Sequence, residues 1–213
     1  MMQYLNRKDA GLQLAEKLSP YANRDDVIVL ALPRGGVPVA FEVAKALHAP
    51  LDVFIVRKLG VPGHSELAMG AIAMGGVTLF NKGIVSDLHI SKEEIDTVIA
   101  KESQELQRRE LAYRGTHTPP NIKHKTVILV DDGIATGASM HVAIDALRRL
   151  EPSKIIVAVP VAPTDASDLF STIADEFICP LVPPHFNAVG QWYEDFTQTE
   201  DDEVHTLLAE SRK

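Results

Sequence analysis

Short, almost wholly apolar runs alternate along the chain with segments of helical period, and that alternation predicts a mainly parallel β-sheet covered by helices. Val27–Leu32 is apolar nearly throughout, as a strand buried on both faces requires. Leu51–Val56, Thr126–Asp131, Lys154–Val159 and Glu176–Cys179 read the same way. Helices are expected over Lys8–Leu18, Val39–Leu47 and Asp165–Ile173, and from the small residues before Ser139 to about Leu150. The longest helix should run from Ser91 to about Arg114. Ser91 and Glu94 form a capping box, and Ile95, Val98, Ile99 and Leu106 make an apolar stripe.

Other stretches break the pattern. Arg57–His64 is dense in glycine, proline and charge, and reads as a mobile loop. Short strands are expected near Ala71–Ala73 and Val77–Phe80, with Gly75-Gly76 as a tight connection. Thr118-Pro119-Pro120 interrupts the chain again, and the tail from Pro180 to Lys213 is mixed.

Composition narrows the classes. With 213 residues, 46% hydrophobic and 23% charged, the chain fits one α/β domain over 1–213 with a packed core and no repeats. A net charge of −8 argues against nucleic acid as a partner, because neutralising phosphates needs clustered Lys and Arg. The single cysteine, Cys179, excludes an internal disulfide and follows Phe177-Ile178, so it reads as a small core residue. No run approaches the ~20 apolar residues of a membrane span, and the first residues hold no apolar signal segment. A cytoplasmic location without membrane contact is therefore expected.

Candidate chemistry concentrates after the strand at 126–131. Asp131 and Asp132 stand at its C-terminal end, the edge where open α/β sheets bind ligands. Thr136, Gly137 and Ser139 then open a helix. Small residues let backbone N–H groups approach an anion, hydroxyls add donors, and the helix N-terminus adds partial positive charge. One short stretch thus offers a phosphate cradle beside two acceptors for sugar hydroxyls. A second anion loop is expected at Leu32-Pro33-Arg34-Gly35-Gly36, where Arg34 brings a permanent charge and the glycines permit unusual backbone paths. Arg57 and Lys58 end the next strand and could reach the same anion.

The stretch Val127-Ile128-Leu129-Val130-Asp131-Asp132-Gly133-Ile134-Ala135-Thr136-Gly137-Ala138-Ser139 resembles the 5-phosphoribosyl 1-pyrophosphate (PRPP) signature of the type I phosphoribosyltransferases. Gly133 departs from it, standing where an apolar residue is more usual. Leu32-Pro33-Arg34-Gly35-Gly36-Val37-Pro38, Val56-Arg57-Lys58-Leu59-Gly60 and Val189-Gly190-Gln191-Trp192-Tyr193 extend the likeness to a bacterial group of this family whose acceptor is unassigned.

The resemblance implies a three-layer α/β/α fold with the strands at 27–32 and 126–131 adjacent. It also implies an antiparallel edge strand from 70–80 and a flexible hood loop over Leu59–Gly70. Hood elements would come from about 1–20, 57–80 and 180–213. It implies that Asp131 and Asp132 hold the ribose hydroxyls and stay near Mg2+ indirectly, through those hydroxyls or water. Ala135 to Ser139 would wrap the 5-phosphate. The loop at Arg34, Gly35 and Gly36 would bind pyrophosphate, often through a non-proline cis peptide, with Arg57 and Lys58 assisting. Glu66 would act on the leaving group or the acceptor. Ala135 replaces the Asp found in hypoxanthine-guanine enzymes, so the chain looks unlike those. Phe186, Trp192 and Tyr193 could stack on a planar acceptor, and a homodimer is compatible with the family habit. The expected activity is transfer of the phosphoribosyl group to a nitrogen acceptor, with a non-catalytic PRPP sensor as the alternative. A kinase-type phosphate loop, Gly-x4-Gly-Lys-Ser/Thr, does not occur in the sequence.

Overall fold

A computed structural model describes residues 3–212. The chain forms α1 (Arg7–Lys17), β1 (Val27–Ala31), α2 (Gly36–Leu47), β2 (Leu51–Val53), β3 (Val56–Val61), β4 (His64–Ala73) and β5 (Thr78–Phe80). It continues with α3 (Lys82–Asp87), α4 (Lys92–Arg114), β6 (Thr126–Val130), α5 (Ala138–Arg148), β7 (Lys154–Ala158), α6 (Ala166–Ile173), β8 (Glu176–Ile178) and α7 (Asp201–Glu210).

Five strands make a parallel sheet in the order β2-β1-β6-β7-β8. Val27–Ala31, Val127–Val130 and Ile155–Ala158 are almost wholly buried, which is why these runs carry no alternation of polar and apolar residues. From β1 the chain crosses to β2 on one side, and β6 later enters on the other. Ala31 pairs with Val130 in register, so the loops leaving β1 and β6 emerge side by side. That is the crevice an α/β sheet offers to ligands.

The expected antiparallel strand near 70–80 belongs to something larger. β3, β4 and β5 form a three-stranded antiparallel sheet of their own. The region read as a mobile loop, Arg57–His64, is one strand of that sheet and its turn. Pro62 supplies the fixed φ of a tight turn and Gly63 its positive φ of 76°, with Val61 paired to His64 across it. Glycine and charge suggested a loop, yet Leu59, Val61, Met69 and Ala71 are buried. The strand expected over Leu51–Val56 divides in two, because the chain leaves the main sheet after Val53 and joins the second at Val56.

The long helix α4 has the capping box read from sequence, with both Ser91–Glu94 hydrogen bonds formed. It ties three elements together. Glu102 meets Arg57 on β3, Tyr113 donates to Asp201 of α7 at 2.9 Å, and Arg114 pairs with Asp52 on β2 at 3.0 Å. The last pair is buried on both sides, so removing either partner would strand a charge. The mixed tail holds a 3-10 turn, Val189–Trp192, and then α7. Among the described residues no helix is long and apolar enough to cross a membrane.

Candidate functional site

Asp131 and Asp132 leave β6 directly into the crevice, and the loop after β1 presses against them. A Cβ on Gly36 would stand 2.8 Å from the Val130 carbonyl and 2.9 Å from Asp131 Cα. A Cβ on Gly35 would stand 2.1 Å from Asp132 Oδ2. Gly35 has φ −58°, which any residue adopts, so close approach rather than backbone conformation demands glycine there. The Pro33–Arg34 peptide bond in this loop is cis.

Each of the two carboxylates has one oxygen engaged. Asp131 Oδ1 accepts from the Asp132 amide at 2.8 Å. Asp132 Oδ2 accepts from Arg7 Nε at 2.9 Å and lies 2.8 Å from Arg7 Nη2. Among the described residues, Asp131 Oδ2 and Asp132 Oδ1 have no protein donor. Two acceptor oxygens on adjacent residues thus remain open. Burial and the neighbouring Asp132 charge push the Asp131 carboxyl well above the usual carboxylate range. Burial also raises Asp132, while Arg7 opposes that rise by stabilising its charged form.

Segments from both ends of the chain reach this pair. Arg7 opens α1, and Nη1 also donates to the Thr197 carbonyl at 2.7 Å, with the guanidinium 4.0 Å from the centre of the Phe196 ring. Tyr193 donates its hydroxyl to the Asp132 carbonyl at 2.5 Å. Arg34 lies 3.5 Å from carboxylates of both Glu200 and Asp201 at the head of α7.

Beyond the acidic pair the chain turns into α5. Gly137 has a φ of 73°, and a Cβ there would meet Phe170 at 2.7 Å, so both conformation and space require glycine. Ala135, Thr136, Ala138 and Ser139 are exposed around it, leaving the helix N-terminus open to an anion. Gly133, the departure from the signature, also has a cause. Its missing side chain is replaced by Val189 of the tail, whose Cγ1 would lie 2.6 Å from a Cβ.

Other residues singled out from sequence lie differently. Arg57 is held by Glu102 at 2.6 Å, and Lys58 sits 3.7 Å from the exposed carboxylate of Glu66. Among the described residues no hydrogen bond or ion pair joins these three to the acidic pair or to the loop at 33–36. Trp192 and Tyr193 are each 5% exposed, packed with Tyr4, Ala10 and Val161, and Phe186 rests against the same cluster. The rings of Trp192 and Tyr193 are thus taken up by packing rather than displayed to a planar acceptor, whereas Phe186 is only half-buried. Burial pushes the Cys179 thiol up to about 12, as suits an inert, half-buried residue. Sequence reading missed Arg7, which lies 125 positions from its partner and in no motif.

Comparison with known proteins places this geometry. The family model for the phosphoribosyl transferase domain matches residues 62–194. The chain belongs to that family. A Thermus thermophilus protein of known structure is 38% identical, with a TM-score of 0.85 over 98% of this chain and 99% of its own. A Mycobacterium tuberculosis relative, provisionally named as a phosphoribosyl transferase, is 47% identical over 208 residues. That alignment takes in 98% of this chain and 47% of the relative, so the chain spans about half the length of the curated relatives it matches. A hypothetical protein from Neisseria gonorrhoeae shares the fold at 14% identity and a TM-score of 0.52. The matched segment begins at Pro62, so the Arg34 loop and Arg7 lie outside it.

Proposed function

We propose that this phosphoribosyl transferase, acting as one domain, moves the 5-phosphoribosyl group of PRPP to a nitrogen acceptor, a nucleobase being the favoured class, and releases pyrophosphate. The observation that carries the reading is the pair of open oxygens, Asp131 Oδ2 and Asp132 Oδ1, at the switch point between two anion loops. A vicinal diol offers two hydroxyl donors, and the pair offers one acceptor to each. The 5-phosphate then falls to Ala135–Ser139 and the exposed start of α5, and the pyrophosphate to Arg34, Gly35 and Gly36. Arg57, Lys58 and Glu66 serve only if the β3–β4 hairpin approaches the crevice, because Arg57 and Lys58 already have acidic partners.

In the reaction a nitrogen lone pair attacks the anomeric carbon with inversion. The bond from that carbon to the pyrophosphate oxygen breaks, the leaving group keeps the electron pair, and the proton of the acceptor nitrogen passes to solvent. Most of the work is orientation and charge stabilisation. Two neighbouring carboxylates with open oxygens suit Mg2+ approached through sugar hydroxyls or water, a habit that fits its reluctance to shed water. Bound magnesium would offset the negative charge of the departing pyrophosphate. Asp131 and Asp132 position the diol, and the loops exclude water from the reacting carbon.

The test is pyrophosphate release from PRPP with magnesium, alone and with a panel of purines, pyrimidines and small amines. Release that depends on one acceptor supports the reading and names the substrate. Silence across the panel with PRPP binding intact points to a PRPP sensor instead.

A further inference from the structure

We propose that Arg7 is a positioning residue: it fixes the direction of the Asp132 carboxylate so that one oxygen stays aimed at a sugar hydroxyl. This rests on the PRPP reading of the acidic pair. The guanidinium places two N–H groups, Nε and Nη2, on the single oxygen Oδ2 at 2.9 and 2.8 Å. An aspartate terminal torsion is broad and roughly two-fold, so an unrestrained carboxylate samples many planes. The two oxygens exchange by a half-turn. What the guanidinium sets is the plane, with one edge turned to α1 and the other left free.

Arg7 is itself held firmly enough to do this. Its third donor, Nη1, is on the Thr197 carbonyl at 2.7 Å, and the Phe196 ring covers it at 4.0 Å. The helix it opens is fixed at its start, since Asn6 caps the Asp9 amide at 3.0 Å and Asp9 accepts from the Leu5 amide at 3.0 Å. The side chains of Arg7 and Asp132 are 11% and 15% exposed, so solvent competes little for the contact. The Asp132 main chain is pinned as well, with its N–H on Asp131 and its carbonyl receiving Tyr193. Among the described residues, Arg7 supplies the only side-chain hydrogen bond or ion pair to this carboxylate. A lysine keeps the charge but has no planar fork to set a plane.

The experiment measures affinity for PRPP with Mg2+, and for inorganic pyrophosphate with Mg2+, by calorimetry. It uses the wild type, Arg7→Met, Arg7→Lys, Asp132→Asn and the double variant Arg7→Met/Asp132→Asn. Removing a residue that orients a ligand-binding group costs on the order of 10–100-fold in affinity, by analogy with the outer partners of metal ligands. Arg7→Met should lose that much for PRPP and clearly less for pyrophosphate, which offers no sugar hydroxyl to Asp132. Arg7→Lys should fall between Arg7→Met and the wild type. In the double variant the Arg7 change should add nothing beyond Asp132→Asn, because its action runs through that carboxylate. Wild-type PRPP affinity in Arg7→Met, or a loss that adds fully to Asp132→Asn, overturns the proposal while leaving the PRPP reading standing. Equal losses for PRPP and pyrophosphate also overturn it, since they signal a collapsed crevice. If Asp132→Asn itself binds PRPP normally, the reading of the acidic pair fails first and this inference falls with it. Should Arg7→Met not fold, Arg7→Lys against Asp132→Asn gives the same cycle.

Discussion

Replacing Gly35 by alanine separates an account based on the crevice from one based on backbone propensity. Gly35 has φ −58° and ψ −31°, a helical conformation alanine adopts freely. By propensity alone the change should stabilise the protein by about 0.4–1 kcal/mol. The crevice predicts the opposite. The new Cβ would stand 2.1 Å from Asp132 Oδ2 and 2.8 Å from its Cγ, whereas ordinary contact begins at 3.4 Å. The carboxylate cannot swing aside cheaply, because Arg7 holds the same oxygen and Tyr193 the same residue's carbonyl. Overpacking of this kind costs about 1–3 kcal/mol. Set against the propensity gain, the net loss spans roughly 0–2.6 kcal/mol and centres on about 1.3, and in a chain of this size each kcal/mol lowers Tm by about 2–4 °C. Thermal unfolding should therefore show a Tm several degrees below wild type. Calorimetry with PRPP and Mg2+ should show affinity reduced about tenfold or more, since the displaced carboxylate is the one proposed to hold the sugar. A Gly35→Ala protein with raised Tm and normal PRPP affinity would refute the reasoning.

Asp131→Asn should stabilise the ligand-free protein at neutral pH. The folded-state pKa of Asp131 is raised, so its ionisation costs stability once pH exceeds the ordinary carboxylate range; the gain from Asn should shrink as pH falls toward about 4, read from Tm against pH. Gly133→Ala should cost about 1–3 kcal/mol in denaturant unfolding through its clash with Val189, and Val189→Ala in the same chain should return part of that loss. Glu200→Gln with Asp201→Asn should tighten pyrophosphate binding several-fold at low salt, because both carboxylates now face Arg34; unchanged affinity would remove Arg34 from the anion site.

The sheet was legible because buried parallel strands have to be apolar throughout, and Val127–Val130 and Val27–Leu32 are. The acidic pair was legible because its chemistry lies within one continuous loop. The β3–β4 hairpin was not, since Gly60, Pro62 and Gly63 are loop formers taken singly and become a bulge and a turn only once Leu59 and Met69 find a core to bury in. Arg7 was hidden for a related reason. Nothing local distinguishes it from Lys8, and only the fold brings it to a carboxylate 125 positions away. The tail aromatics misled in the other direction: rings capable of stacking on a ligand are equally capable of packing on one another, as Tyr4, Tyr193 and Phe196 do. The acid-first pattern of Asp201, Asp202 and Glu203 before Val204, Leu207 and Leu208 does carry the signal of α7.

The most direct test of the account is calorimetric titration of PRPP with Mg2+ into the wild type and into Asp131→Asn/Asp132→Asn. The account predicts saturable binding to the wild type and none to the folded double variant, confirmed as folded by its thermal transition. Normal PRPP binding by the double variant, or no binding by the wild type, would contradict the assignment of the sugar site to Asp131 and Asp132.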